Sequence, residues 1–154
     1  MKISKKIIRN LKKSGVNFFL SVNLFPILIP NNIEYIKHLV HENRIDGVLL
    51  TGGESLVKYG GNSPERDEAE LFLFNWAIEY DIPLLGVCRG MQFIQDYFNN
   101  KLIKVPNHVA VRHKLHVESD FRLSKLLKKY KDVNSFNNYG SNEASFELKK
   151  IAYL

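Results

Sequence analysis

Sulfur is scarce in this 154-residue chain, which has one cysteine, Cys88, and two methionines. A lone thiol excludes an internal disulfide framework and fits a reducing compartment, which makes the cytoplasm the expected location. Long apolar runs are missing as well. The most apolar stretch, Phe18 to Pro30, contains Asn23 and Pro26 and is too short and too broken to span a bilayer, so no membrane partner is expected. The basic opening Met1-Lys2-Ile3-Ser4-Lys5-Lys6 meets Lys12 and Lys13 before any signal-peptide core can form. No metal-ligand cluster and no phosphate-binding glycine loop occurs, so neither a metal nor another cofactor is implied. Histidine is absent after His116.

What remains is an ordinary globular mixture, 45% hydrophobic and 25% charged, which fits a single domain over residues 1–154 with room for a real core. The formal net charge is +6, much of it from the first residues and from Lys125 to Lys131. A basic surface attracts anions in general. Without a recognisable nucleic-acid module, lysine content alone does not point to a nucleic-acid partner.

The chain is organised around Ile82-Pro83-Leu84-Leu85-Gly86-Val87-Cys88-Arg89-Gly90-Met91-Gln92. The apolar opening predicts a buried strand. Met91, Ile94, Gln95 and Phe98 then recur at helical spacing and predict a helix from Met91 to Phe98. Between them Gly86 and Gly90 flank the cysteine two positions to either side. A sharp strand-to-helix turn needs such glycines, because a Cβ would collide with neighbouring backbone. The residue at the apex, Cys88, is pushed onto the first turn of a helix, where free N–H groups favour a thiolate. The plain alternative is a small buried apolar residue. The flanking glycines favour a nucleophile.

Upstream, Met1 to Arg9 suggests a first strand and Val16 to Leu24 a short helix. Pro26 to Pro30 predicts a strand, and Asn31 or Asn32 can cap a helix carrying Ile33, Ile36, Lys37 and Val40. Asp46 to Thr51 predicts a strong strand running into Gly52-Gly53, where backbone can approach a ligand closely. Lys58 to Asn62 continues as a loop fit to rim a pocket. Ser63-Pro64-Glu65 predicts a capped helix start, with Leu71, Phe74, Trp76, Ala77 and Tyr80 on the apolar face. Strand, helix, strand, helix in this order predicts an α/β fold with a parallel sheet, whose ligands bind beyond the carboxyl ends of the strands. Gly52-Gly53 and Cys88 both fall at such ends. Further on, Phe121 to Tyr130 predicts a surface helix with Phe121, Leu123, Leu126 and Leu127 turned to the core.

Five pieces occur in a characteristic order: Leu49-Leu50-Thr51-Gly52-Gly53, Arg66-Asp67, the stretch Ile82 to Gln92, Asn107-His108 with His113, and Val133-Asn134-Ser135-Phe136. In that order they resemble the class I glutamine amidotransferases. The closer likeness is to their γ-glutamyl amide hydrolase branch, which includes the γ-glutamyl-γ-aminobutyrate hydrolases. The resemblance implies a three-layer, doubly wound, mostly parallel sheet of flavodoxin-like type, incomplete at the C-terminus. It implies a small γ-glutamyl substrate, attacked by Cys88 through a glutamyl thioester. It further implies an oxyanion hole from the backbone N–H groups of Gly53 and Arg89, and substrate contacts from Gly52, Gln92, His108 and His113.

Three features depart from that family, one of them a short N-terminus with little chain between the first strand and the Val16 helix. The family's triad histidine and acid lie in a late His-Pro-Glu sequence, whereas this chain ends at Ile151-Ala152-Tyr153-Leu154 with no such sequence. Asn137 also stands after Asn-Ser-Phe where the family usually has histidine. Three readings therefore stay open. One is a γ-glutamyl amide hydrolase or amidotransferase, with a synthetase or second chain as partner. Another is a truncated, non-catalytic relative acting by binding. The third is a member of the DJ-1-like proteins, which also carry a cysteine on a strand-to-helix turn; Thr51-Gly52-Gly53 and Asn107-His108 favour the amidotransferase group over these.

Overall fold

The short apolar segments of the first half of the chain pair into one parallel sheet. The structure, a computed structural model, describes residues 4–8, 13–118 and 121–154. It divides into two compact units, Met1–Phe93 and Ile94–Leu154.

In the first unit, β1 (Ser4–Ile8), β2 (Leu24–Leu28), β3 (Val48–Leu50) and β4 (Leu84–Gly86) lie in the order β2-β1-β3-β4. Every pairing is parallel, with Ile7 opposite both Ile27 and Val48, and Leu49 opposite Leu85. Parallel neighbours need crossovers. These are supplied by α1 (Lys13–Ser21), α2 (Ile33–Glu42) and α3 (Pro64–Glu79), with α4 (Arg89–Tyr97) following β4. The order 2-1-3-4 is that of flavodoxin-like sheets, in which the ligand crevice lies at the carboxyl ends beside the β1/β3 switch point.

Local sequence explains most boundaries. Asn32 caps α2 by accepting the Tyr35 N–H at 2.8 Å, and Asn43 closes it by donating from its side chain to the Leu39 carbonyl at 3.0 Å. The first helix stops at Ser21, short of the expected Leu24. Asn23 turns left-handed there (φ 60°), so that Leu24 can pair with Ser4. The helix α3 does begin at Ser63-Pro64, but the serine is not a cap. Its hydroxyl donates to the Glu54 carboxylate instead and holds that carboxyl below its ordinary range.

The core of this unit is built on Ile36, Val48, Leu50, Leu73, Phe74, Ala77 and Phe93, with the Phe74 and Phe93 rings edge to face at 5.7 Å. Each fully buried Ile or Leu contributes about 1.5–3 kcal/mol. Three sequence expectations need correction. The buried stripe of α3 is Arg66, Ala69, Glu70, Leu73, Phe74 and Ala77, while Leu71 and Tyr80 face solvent. Charged residues occupying the first two turns of that stripe hid it from a hydrophobicity count. The elbow strand β4 is half-buried rather than buried, with Leu85 60% exposed, because it stands at the end of the strand order. On α4 the buried residues are Arg89, Gly90, Gln92 and Phe93, not Met91 and its helical neighbours. Gly90 sets that choice: a Cβ there would stand 2.2 Å from the Leu50 carbonyl oxygen, so the glycine face is the one that packs on β3.

The second unit is built of antiparallel ribbons. These pair β6 (Val109–Lys114) with β8 (Asp132–Phe136), β5 (Ile103–Lys104) with β9 (Tyr139–Gly140), and β7 (His116–Val117) with β10 (Ala152–Tyr153). The β6–β8 register shifts between Val109 and Val111, where Ala110 adopts φ 57°. Only one turn of the expected Phe121–Tyr130 helix forms, α5 (Ser124–Leu127), and Leu123 and Leu126 lie about half exposed. A helix so short has little cooperativity of its own, and no side-chain cap starts it. Among the described residues no helix is long and apolar enough to cross a membrane.

Candidate functional site

Two loops leave the carboxyl ends of neighbouring strands in the first unit, Thr51-Gly52-Gly53 after β3 and Val87-Cys88 after β4. The second turns sharply. Val87 N–H donates to the Leu50 carbonyl at 2.9 Å, one residue beyond the β4 ladder. Gly90 N–H then donates to the Val87 carbonyl and Gln92 N–H to the Cys88 carbonyl, both at 3.0 Å. Between them Cys88 is left-handed, with φ 55°. For a non-glycine residue that conformation costs about 1–2 kcal/mol, and it persists only where the surroundings dictate it. A strained residue between strand and helix is the geometry of a nucleophile elbow.

The facing loop leaves room for the thiol. A Cβ on Gly52 would stand 3.3 Å from Cys88 Cβ and 3.5 Å from Sγ. Gly53 has φ 149°, and a Cβ there would lie 2.3 Å from Arg66 Nη1. One glycine thus borders the sulfur and the next borders a guanidinium.

Behind both loops lies a cluster of charges. Arg66, Glu70 and Arg89 are 5%, 0% and 1% exposed. Arg66 donates from Nε to Glu70 Oε1 at 2.8 Å and from Nη2 to the Thr51 and Gly52 carbonyls at 2.9 and 3.0 Å. Arg89 donates from Nη1 to Glu70 Oε2 and from Nη2 to Asp67 Oδ1. Asp67 Oδ2 in turn accepts the Val57 N–H at 2.9 Å. Two guanidiniums and two carboxylates balance, which is the condition for burying such groups at all.

The structure therefore brings together Cys88, Gly52, Gly53, Arg89 and Gln92, the last buried one helical turn after the cysteine. His108 and His113 belong to the second unit, where their rings stack at 4.2 Å with 14° between planes. The His108 carbonyl accepts the Asn137 N–H at 3.0 Å, and among the described residues His113 Nε2 is buried without a partner. Sequence reasoning quoted Arg66-Asp67 without a role and passed over Glu70. The available signal was the spacing of Arg66 and Glu70, four apart on the stripe continued by Leu73 and Ala77. Among the described residues no group of three or more His, Cys, Asp or Glu could hold a metal ion.

Comparison with known proteins adds three kinds of likeness. The family model described as Peptidase C26 matches residues 2–153. The γ-glutamyl-CDP-amidate hydrolase of Campylobacter jejuni is 30% identical over 88% of this chain and 61% of its own length. The γ-glutamyl-γ-aminobutyrate hydrolase of Escherichia coli O157:H7 is 25% identical over 92% of this chain and 67% of its own. A glutamine amidotransferase-like protein of Rickettsia prowazekii is 32% identical, over 72% of this chain and 43% of its own length. The chain thus spans roughly half to two thirds of these relatives. In shape, a glutamine amidotransferase from Thermotoga maritima superposes with a TM-score of 0.74 over 99% of this chain and 67% of its own, at 13% identity. The fold is that of the class I glutamine amidotransferases.

Proposed function

The chain belongs to the Peptidase C26 family, and from that premise we propose that it binds the glutamyl end of a small γ-glutamyl amide against Cys88. The observation that carries this reading is the left-handed Cys88 at the end of β4, bordered by Gly52 of the neighbouring strand end. The Cys88 thiolate attacks the γ-carbonyl carbon, and the carbonyl electrons move onto oxygen. The N–H groups of Gly53 and Arg89 hold that oxyanion. Collapse expels the protonated amine and leaves a glutamyl thioester on Sγ; water then cleaves the thioester, releasing glutamate and the thiol. Gln92 contacts the glutamyl part. Relatives named for γ-glutamyl-CDP-amidate and γ-glutamyl-γ-aminobutyrate support a leaving group among amines and nucleotide amidates.

Binding of the glutamyl end and turnover are separate claims, because turnover also needs a base for the thiol proton. Labelling of Cys88 by a glutamine-mimicking diazo-ketone, with iodoacetamide as control, tests binding. Saturable labelling that free glutamate or glutamine protects against is the expected result. Labelling no better than that of a free thiol overturns the γ-glutamyl reading. Release of ammonia or amine then separates hydrolysis from binding.

A further inference from the structure

One buried carboxylate, that of Glu70, joins the two loops through side chains. The Glu70 oxygens are divided, Oε1 to Arg66 and Oε2 to Arg89, and the residue is wholly buried. From Arg66 the connection continues to the Thr51 and Gly52 carbonyls, the strand end that precedes Gly53. Arg89 is itself the residue directly after Cys88. We propose that Glu70 is the positioning residue of this site. It sets the spacing between the Gly53 and Arg89 N–H groups by tying Arg66 of α3 to Arg89 of α4.

The position of the cluster supports this over a purely structural role. Buried ion pairs are poor stabilisers, since well-packed apolar residues of similar volume do as well or better. Oxyanion donors, by contrast, gain from fixed geometry, because they act only within about 2.7–3.1 Å of the developing charge. Here the fixed elements are the two turns that carry the donors. Asp67 adds a second tie from Arg89 to the Val57 N–H, so the segment after Gly53 is held at both ends. Gly53 itself is shaped to this arrangement: only a residue without a Cβ leaves space for Arg66 Nη1. The catalytic side of this inference rests on the nucleophile reading above; the structural side stands without it.

The test pairs hydrogen exchange with labelling in Glu70→Gln. Exchange should rise in residues 52–57 and 88–92 together, with α2 unchanged. Diazo-ketone labelling of Cys88 should slow about tenfold or more relative to iodoacetamide, which needs no oxyanion hole. A folded variant with wild-type exchange in either segment overturns the proposal, and so does an unchanged labelling ratio where the wild type prefers the diazo-ketone. A wild type without that preference sinks the nucleophile reading instead, and exchange alone then decides for or against Glu70. Should Glu70→Gln not fold, Arg66→Lys takes its place. It keeps a cation facing Glu70 but lacks the planar fork that reaches Glu70 and both carbonyls at once, so exchange should rise in 52–57 alone; no rise there overturns the proposal.

Discussion

Gly52 and Cys88 face each other across two adjacent strand ends, so closely that a Cβ on Gly52 would press on Cys88 Cβ at 3.3 Å. Gly52→Ala should therefore cover one side of Sγ. Alkylation of Cys88 by iodoacetamide is expected to slow severalfold, while stability changes by less than about 1 kcal/mol. Rate measurements on the folded variant check this, and an unchanged rate would place the thiol's open side elsewhere.

The left-handed backbone at Cys88 makes its own stability prediction. Alanine at 88 retains the strain and glycine relieves it, so Cys88→Gly should be more stable than Cys88→Ala by about 1 kcal/mol. Urea midpoints of the two variants decide. Equal midpoints would mean that the strain is absorbed elsewhere in the turn.

Gly90→Ala should do the opposite. Its Cβ would meet the Leu50 carbonyl, a backbone atom that cannot rotate away. Loss of about 2–3 kcal/mol is expected, together with loss of selective labelling at Cys88. A variant of wild-type stability would contradict the close packing of α4 on β3.

In the second unit the Arg112 guanidinium donates to Asp132 across the β6–β8 ribbon and holds that carboxyl below its ordinary value. A depressed aspartate stabilises the folded ribbon above its unfolded pKa, and that contribution is lost as pH falls through the folded value. Arg112→Ala should raise the Asp132 titration midpoint toward the ordinary aspartate range and remove this acid dependence. A carboxylate-resolved NMR titration reads both.

Much of the first unit was legible in the sequence because its signals are local. The Asn32 cap, the Asp46–Thr51 strand and the paired glycines around Cys88 each declare themselves within a few residues. The elbow was legible because a turn of that sharpness tolerates few residue types. What stayed hidden depends on partners far along the chain. Arg66 and Glu70 have no role in the sequence until Arg89, Thr51 and Gly52 are brought to meet them. The buried face of α4 was missed for a similar reason, since a glycine counts for nothing in a hydrophobic stripe yet decides which side can touch β3. The Phe121–Tyr130 helix failed in the other direction: its spacing fits a helix, but too few residues are buried to extend it beyond one turn.

The neutral cluster behind the loops also constrains inheritance. A gene changes one codon at a time, and loss of Glu70 alone leaves two buried guanidiniums with only the Asp67 carboxylate to balance them. Descent from this arrangement to an apolar one must cross an intermediate less fit than either end. Arg66, Glu70 and Arg89 should accordingly pass through the family as a block, and a lineage that has lost one of them should have lost the others.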